Sequence, residues 1–134
     1  MADTADSPLT LIIGNKNYSS WSLRAWLILR QAGLKADEVL IALSESGSKS
    51  ALLKHSPSGR VPCLVQGDLT VWDSLAIGEY AAELAPDAGL WPADRAARAL
   101  ARSVSAEMHS GFTALRTHMP MNIRSSFPKE GRKP

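Results

Sequence analysis

The 134-residue sequence predicts an α/β unit of order β-α-β-α-β-β-α followed by the start of an all-α region, and three observations carry that expectation. Short runs of branched apolar residues alternate with stretches of helical apolar spacing. A proline, Pro62, stands directly before a strand-like run that begins at Cys63. After the break at Pro86-Asp87-Ala88-Gly89 the pattern turns helical. Two strands separated by a helix pair in parallel through a right-handed crossover, and a later hairpin adds two antiparallel strands to the same sheet.

Taken in order, Leu9 to Ile13 reads as a buried strand ending at Gly14-Asn15, and Lys16 to Ser20 as a loop. Trp21 to Gln31 reads as a helix with Leu23, Trp26, Leu27 and Arg30 at helical spacing, stopped by Ala32-Gly33. Glu38 to Leu43 is a second strand, and Lys49 to Lys54 a short helix ended by His55-Ser56-Pro57-Ser58-Gly59. Pro62 opens a third strand, because a residue without an N–H is accepted only at a strand's first position or on an edge. Gly67-Asp68 makes a two-residue hairpin turn, Leu69 to Trp72 returns, and Asp73 starts a helix whose Ile77, Tyr80, Ala81 and Leu84 face the sheet. This order is the thioredoxin-like arrangement.

Past Leu90-Trp91-Pro92 a further helix begins near Asp94 and carries Leu100, Val104 and Met108 at four-residue steps, with Phe112 and Leu115 extending the stripe. The expected division is 8–85 for the α/β domain, 86–92 for a linker and 93–134 for a partial helical domain with an irregular tail. One long helix cannot bury its own stripe, and residues 119–134 are polar and broken by three prolines, so the chain reads as cut inside its helical domain.

Composition narrows the function. Residues 1–85 carry 7 basic and 9 acidic groups, and residues 86–134 carry 8 and 4, which is no dense basic stripe for nucleic acid. Arg95, Arg98 and Arg102 read as a solvated helix face. No apolar run is long enough to span a bilayer, and the first residues lack the positive region of a signal peptide, so the expectation is cytoplasmic. A lone cysteine, Cys63, and scattered His55, His109 and His118 supply neither a disulfide, a metal set nor a catalytic base. Cys63 reads as a buried strand residue and the histidines as surface or capping residues.

The chemistry points to Asn15 through Arg24, where hydroxyls at Ser19, Ser20 and Ser22 precede a helix. A helix amino end favours an anion, and a hydroxyl donating to sulfur favours thiolate over thiol. A lowering of roughly 2 pKa units is about 2.7 kcal/mol, or about a hundredfold more thiolate at a fixed pH below both values. The plainer alternative, which cap statistics favour for any one serine, is that these serines cap the helix or face solvent. Cysteine is absent from positions 17 and 20, which argues against a dithiol redox cycle.

Asn17-Tyr18-Ser19-Ser20-Trp21-Ser22-Leu23-Arg24, Ser56-Pro57-Ser58-Gly59-Arg60-Val61-Pro62 and Asp73-Ser74-Leu75-Ala76-Ile77 together resemble a bacterial glutathione S-transferase, over nearly the whole chain. The Ser-Ser-x-Ser and Trp-Ser-x-Arg runs are similar to the zeta class, which includes maleylacetoacetate isomerase. The resemblance implies an enzyme that binds glutathione as co-substrate, stabilises its thiolate and directs it at a small electrophile. Val61 would present backbone to the cysteinyl part beside a cis Pro62, and Asp73-Ser74 would hold the γ-glutamyl end. Capping alone remains the other reading of Asp73, and surface exposure the other reading of Arg60, which otherwise meets a glutathione carboxylate. Counting back from Arg24, the family's nucleophile-binding positions fall on Asn17 and Ser20, with Ser19 between them. Ser19 and Ser20 are the favoured donors to sulfur, and Asn17 is a contact through its amide. The resemblance further implies a homodimer when full length. Conjugation, glutathione-dependent cis/trans isomerisation and a non-catalytic binding module of the same fold all stay open.

Overall fold

A computed structural model describes residues 6–128. A four-stranded sheet of order β2-β1-β3-β4 forms from β1 (Leu9–Ile13), β2 (Ala36–Leu40), β3 (Cys63–Gln66) and β4 (Leu69–Trp72). β1 and β2 run parallel, while β3 is antiparallel to both β1 and β4. The helices are α1 (Ser20–Gln31), α2 (Ser48–Leu53), α3 (Ser74–Leu84), α4 (Arg95–Ser110) and α5 (Thr113–His118), with a 3₁₀ turn at Pro86–Ala88. The chain is α/β with a thioredoxin-like unit followed by helices, as its residue pattern predicts.

Alternation along β1 divides the core in two. Leu9, Leu11 and Ile13 face α1 and α3, where they join Ala25, Leu29, Leu64, Ile77 and Ala81. Ile12 and Cys63 point to the opposite face and pack with Ile41 and Leu52 of the α2 side. Burial pushes the Cys63 thiol up, against a smaller opposing effect from Ser56, which agrees with a structural rather than a reactive cysteine. Gly67 adopts φ +56° at the hairpin, a conformation that costs glycine little.

Three expectations need correction. β2 begins two residues early and ends at Leu40 instead of Leu43, because the five residues of β1 pair only with Ala36 through Leu40. Beyond that point Gly14 turns its N–H to Ser22 Oγ at 2.9 Å, which removes it from the ladder. In α1 the fully buried positions are Ser22, Ala25 and Leu29, while Leu27 is half exposed. Small residues let α1 sit close to the sheet, so the larger ones ride on its flanks.

The third correction concerns α4. Leu100 and Val104 are exposed where the apolar stripe was expected to be covered, while Arg95 and Arg102 are exposed as expected and Arg98 is half-buried. Arg102 pairs with Glu79 of α3 at 3.2 Å and lies over the Trp91 ring, while Arg98 Nη1 donates to the carbonyls of Pro92 and Ala93 at 3.0 and 2.7 Å. α4 stops at Gly111, where Phe112 takes a left-handed conformation with φ +59° and starts α5. Residues 119–128 are irregular, and the rest of the expected tail lies outside the described residues.

Candidate functional site

Two helix amino ends and the turn before β3 bring the sequence-selected residues into view. At the first end, Ser19 is the N-cap of α1, and its Oγ accepts from Ser22 N at 3.3 Å. The Ser19 hydroxyl donates to Ser22 Oγ at 2.9 Å, and that same oxygen receives Gly14 N. The resulting chain ties the end of β1 to the first turn of α1. Ser20 is partly buried and its hydroxyl has no partner among the described residues. No acidic residue occupies the first turn of α1, so its dipole is uncompensated.

At the second end, Asp73 caps α3 from φ +77°, ψ +131°. Its Oδ1 accepts from Leu75 N at 2.8 Å and Ala76 N at 3.5 Å, and its Oδ2 meets His109 Nε2 of α4 at 2.9 Å. Ser74 follows, buried, and its Oγ has no hydrogen-bond partner among the described residues. Arg24 Nη1 is a second buried polar atom without one. Ser74, Arg24 and His109 all line a groove of about 540 Å³ between α1, α3 and α4, whose other walls include Leu27, Ile28, Leu75 and Met108.

Arginines surround Trp21. Arg24 lies 4.4 Å and Arg116 4.6 Å from its ring centroid, and the His109 ring meets it edge-on at 5.1 Å. Burial lowers the Arg24 pKa most, the nearby Arg116 lowers it further, and Asp73 opposes both. The guanidinium remains charged, since arginine does not deprotonate in proteins. Arg116 also fixes the α4–α5 corner, donating through Nε to Gly111 O at 3.0 Å and through Nη2 to Met108 O.

The turn before β3 is held by a buried serine. Ser56 Oγ donates to Arg60 O at 2.8 Å and meets Ser58 Oγ at 3.0 Å. The Val61-Pro62 peptide bond is cis. Both strand ladders of β3 begin at Cys63, which leaves the Val61 backbone outside the sheet's pairing. Pro62 is buried and Arg60 is exposed. Asn17 is also buried, but its amide is taken by the irregular tail: Nδ2 donates to Asn122 Oδ1 at 3.1 Å, and Oδ1 accepts from Arg124 N at 2.8 Å.

Ser19, Ser20, Asp73 and Ser74 therefore stand at helix starts, and Val61 on the turn before β3, packed against Ile12, Ile41, Leu52 and Cys63. His109 and Asn122 were missed. His109 is 36 residues from Asp73, and the four-residue apolar steps drew attention to the neighbouring face of α4. The spacing of Arg98, Arg102, Ser105 and His109, by contrast, marks one helical face and carried the usable signal. Nothing local marks Asn122. A second, larger cleft of about 730 Å³ lies between β2 and α1, around Trp26 and Glu38, and none of the predicted site residues lines it. Among the described residues no three His, Cys, Asp or Glu side chains converge as a metal set.

Residues 18–84 match the glutathione S-transferase N-terminal domain. A probable maleylacetoacetate isomerase of Caenorhabditis elegans is 35% identical over 96 residues, covering 72% of this chain and 44% of that protein. Among solved structures, a glutathione transferase homologue from Burkholderia GL BGR1, with bound glutathione, superposes with a TM-score of 0.68 at 33% identity, over 82% of this chain and 58% of that one. A homologue from Sulfitobacter, also with bound glutathione, gives 0.71 at 25% identity, over 92% and 59%. The chain belongs to the glutathione S-transferase family. It spans less than half the length of the curated relative and less than two thirds of each solved chain.

Proposed function

We propose that this chain binds glutathione across the two helix starts and stabilises its thiolate for attack on a small electrophile. The observation that carries this reading is the buried, unpartnered Ser74 hydroxyl at the amino end of α3. A buried hydroxyl without a partner costs about 1–3 kcal/mol and calls for a ligand acceptor. The γ-glutamyl carboxylate fits: it would take the hydroxyl and the backbone N–H of Ser74, the one first-turn N–H that Asp73 leaves unengaged, with the Arg24 charge nearby. Asp73, already engaged by its cap and by His109, would meet the ammonium with what remains of its Oδ2. Val61 would pair with the cysteinyl backbone as a strand does, and exposed Arg60 would reach the glycyl carboxylate.

The sulfur would then rest at the amino end of α1. Ser20 offers an unengaged hydroxyl, and Ser19 can redirect its proton from Ser22 Oγ by one rotation while its oxygen still caps Ser22 N. Either donation, added to the helix dipole, favours thiolate. In this reading residues 8–85 are the glutathione-binding domain, 86–92 the linker and 93 onward the part that meets the co-substrate, in a full-length homodimer. Transfer to an electrophilic carbon is the reaction proposed. Isomerisation of the maleylacetoacetate type is a second reading, favoured by the 35% identical relative. Among the described residues no helix is long and apolar enough to cross a membrane, in keeping with a cytoplasmic site of action.

Calorimetric titration with glutathione, combined with ultraviolet thiolate absorbance against pH, tests the proposal. Binding with a thiol pKa at least about 1 unit below that of free glutathione is expected. No heat of binding, or an unshifted thiol, would leave a transferase fold used for something else.

A further inference from the structure

A carboxylate offers about four lone-pair sites on its two oxygens, and at Asp73 the fold fills three of them. Leu75 N and Ala76 N donate to Oδ1, and His109 donates to Oδ2, since a carboxylate accepts and the shared proton must sit on Nε2. One site on Oδ2 is left open. The Asp73 side chain is 48% exposed, whereas that of His109 is 20% exposed, with its ring set edge-on against Trp21 at 5.1 Å. A ligand can therefore reach the carboxylate more readily than the histidine that aims it.

The same indole holds a cation back from Asp73. Arg24 stacks on the Trp21 ring at 4.4 Å, and its Nη1 is buried without a hydrogen-bond partner among the described residues. It attracts Asp73 through space, with no hydrogen bond between them. One negative and one positive group thus stand apart beside the start of α3, and Ser74, Arg24 and His109 line one groove there.

Resting on the function proposed above, we infer that His109 is a positioning residue that keeps Asp73 apart from Arg24 and thereby sets this chain's preference for a γ-glutamyl head with a free ammonium. Its N–H fills the lone pair through which Asp73 Oδ2 would otherwise turn to the unpartnered guanidinium. Asp73 then stays available to the ammonium, and Arg24 to the α-carboxylate. Without that donor the two opposite charges close on each other, and the ammonium loses its acceptor.

Calorimetric titration of the whole chain with glutathione, and with the desamino analogue in which hydrogen replaces the γ-glutamyl α-amino group, reads the preference as a ratio of Kd values. The wild type should favour glutathione by roughly 10- to 100-fold, the range of a charge-assisted hydrogen bond. His109→Phe keeps a ring against Trp21 but removes the donor, and the ratio should fall at least about fivefold. His109→Gln restores an N–H donor and should hold the ratio within about twofold of the wild type. The wild-type ratio and His109→Gln test the inference even where His109→Phe does not fold.

A histidine that merely packs α4 against α1 would weaken both ligands by the same factor, so an unchanged ratio in His109→Phe overturns the inference. So does a wild-type ratio near one, which would mean that Asp73 does not meet the ammonium, and so does a fallen ratio in His109→Gln. A wild-type chain that binds neither ligand would overturn the function itself, and the first titration tells the two failures apart.

Discussion

The two helix starts that face the site are built in opposite ways. At α1 the cap has ordinary backbone, φ −89° and ψ +95°, and every group that fixes it lies between Gly14 and Ser22. At α3 the cap residue is held at φ +77°, a region that costs a non-glycine residue on the order of 1–3 kcal/mol, and its second carboxylate oxygen depends on His109 from α4. The first end is local and self-sufficient, while the second is a junction of elements far apart in sequence. In the proposed function the sulfur would sit at the local end and the γ-glutamyl group at the junction. Thiol activation would then survive changes to the helical half of the chain, whereas recognition of glutathione would not.

Breaking the local end should give the largest effect. The double variant Ser19→Ala, Ser20→Ala should raise the thiol pKa of bound glutathione by roughly 1–2 units and lower kcat/KM about 10- to 100-fold near neutral pH, with glutathione affinity nearly kept. Thiolate absorbance against pH measures the first, and steady-state rates the second. The single variants apportion the loss: Ser19→Ala also removes a cap and should cost about 1 kcal/mol of stability, which Ser20→Ala should not. If neither quantity moves, the serines are caps only and the contrast between the two ends fails.

At the junction the affinities should be reversed. Ser74→Ala should weaken glutathione binding about tenfold, or about 1.4 kcal/mol, without destabilising the chain, because it removes a buried hydroxyl that has no partner within the fold. Titration calorimetry and urea unfolding report the two quantities separately. Loss of stability without loss of affinity would assign Ser74 to the core.

The same difference explains what the sequence made legible. β1, the hairpin and the caps at Ser19 and Asp73 follow from short-range patterns: branched runs, a Gly-Asp turn and polar residues before apolar periodicity. Asp73 was readable as a cap, but its positive φ was not, since no local rule places an aspartate there. The sidedness of α1 misled because Ser22 is polar and Ala25 only weakly apolar by type, and yet both are fully buried. In α4 the apolar stripe pointed to one face and the ion pair of Arg102 with Glu79 set another, a competition that spacing alone cannot decide. Asn17 was legible as part of the loop, but its partners Asn122 and Arg124 are contacts of the folded chain only.

Backbone strain sharpens the comparison at a smaller scale. Asp73→Gly removes the left-handed penalty but also the carboxylate cap, and should change stability by less than about 1 kcal/mol. Asp73→Ala keeps the penalty and loses the cap, and should cost about 1–3 kcal/mol. At Ser19, where φ is negative, glycine has no penalty to relieve, so Ser19→Gly should never stabilise. Thermal or urea unfolding of the three variants settles the order, and an Asp73→Gly as unstable as Asp73→Ala would mean that the cap and the His109 contact outweigh the strain.

The smallest effect is expected at the ion pair that backs the local end. Lys16 Nζ donates to Glu38 Oε2 at 2.7 Å, and Trp26 Nε1 donates to Oε1 of the same carboxylate at 2.6 Å. The Lys16 hydrogen bond is the main cause that holds the Glu38 pKa below its ordinary value, with a smaller contribution from Trp26 and desolvation opposing. A carboxyl group with a depressed pKa in the folded chain binds fewer protons folded than unfolded. Its contribution is therefore full above the ordinary carboxylate pKa and fades as pH falls through the lower folded value. Both side chains are substantially exposed, at 33% and 40%, so the contribution should not exceed about 1 kcal/mol. Glu38→Gln should accordingly be slightly less stable than the natural chain at neutral pH, and the two should converge on acidification. Unfolding curves across that range check the sign, and a gap that widened toward acid would show that Glu38 is stabilised in its protonated form.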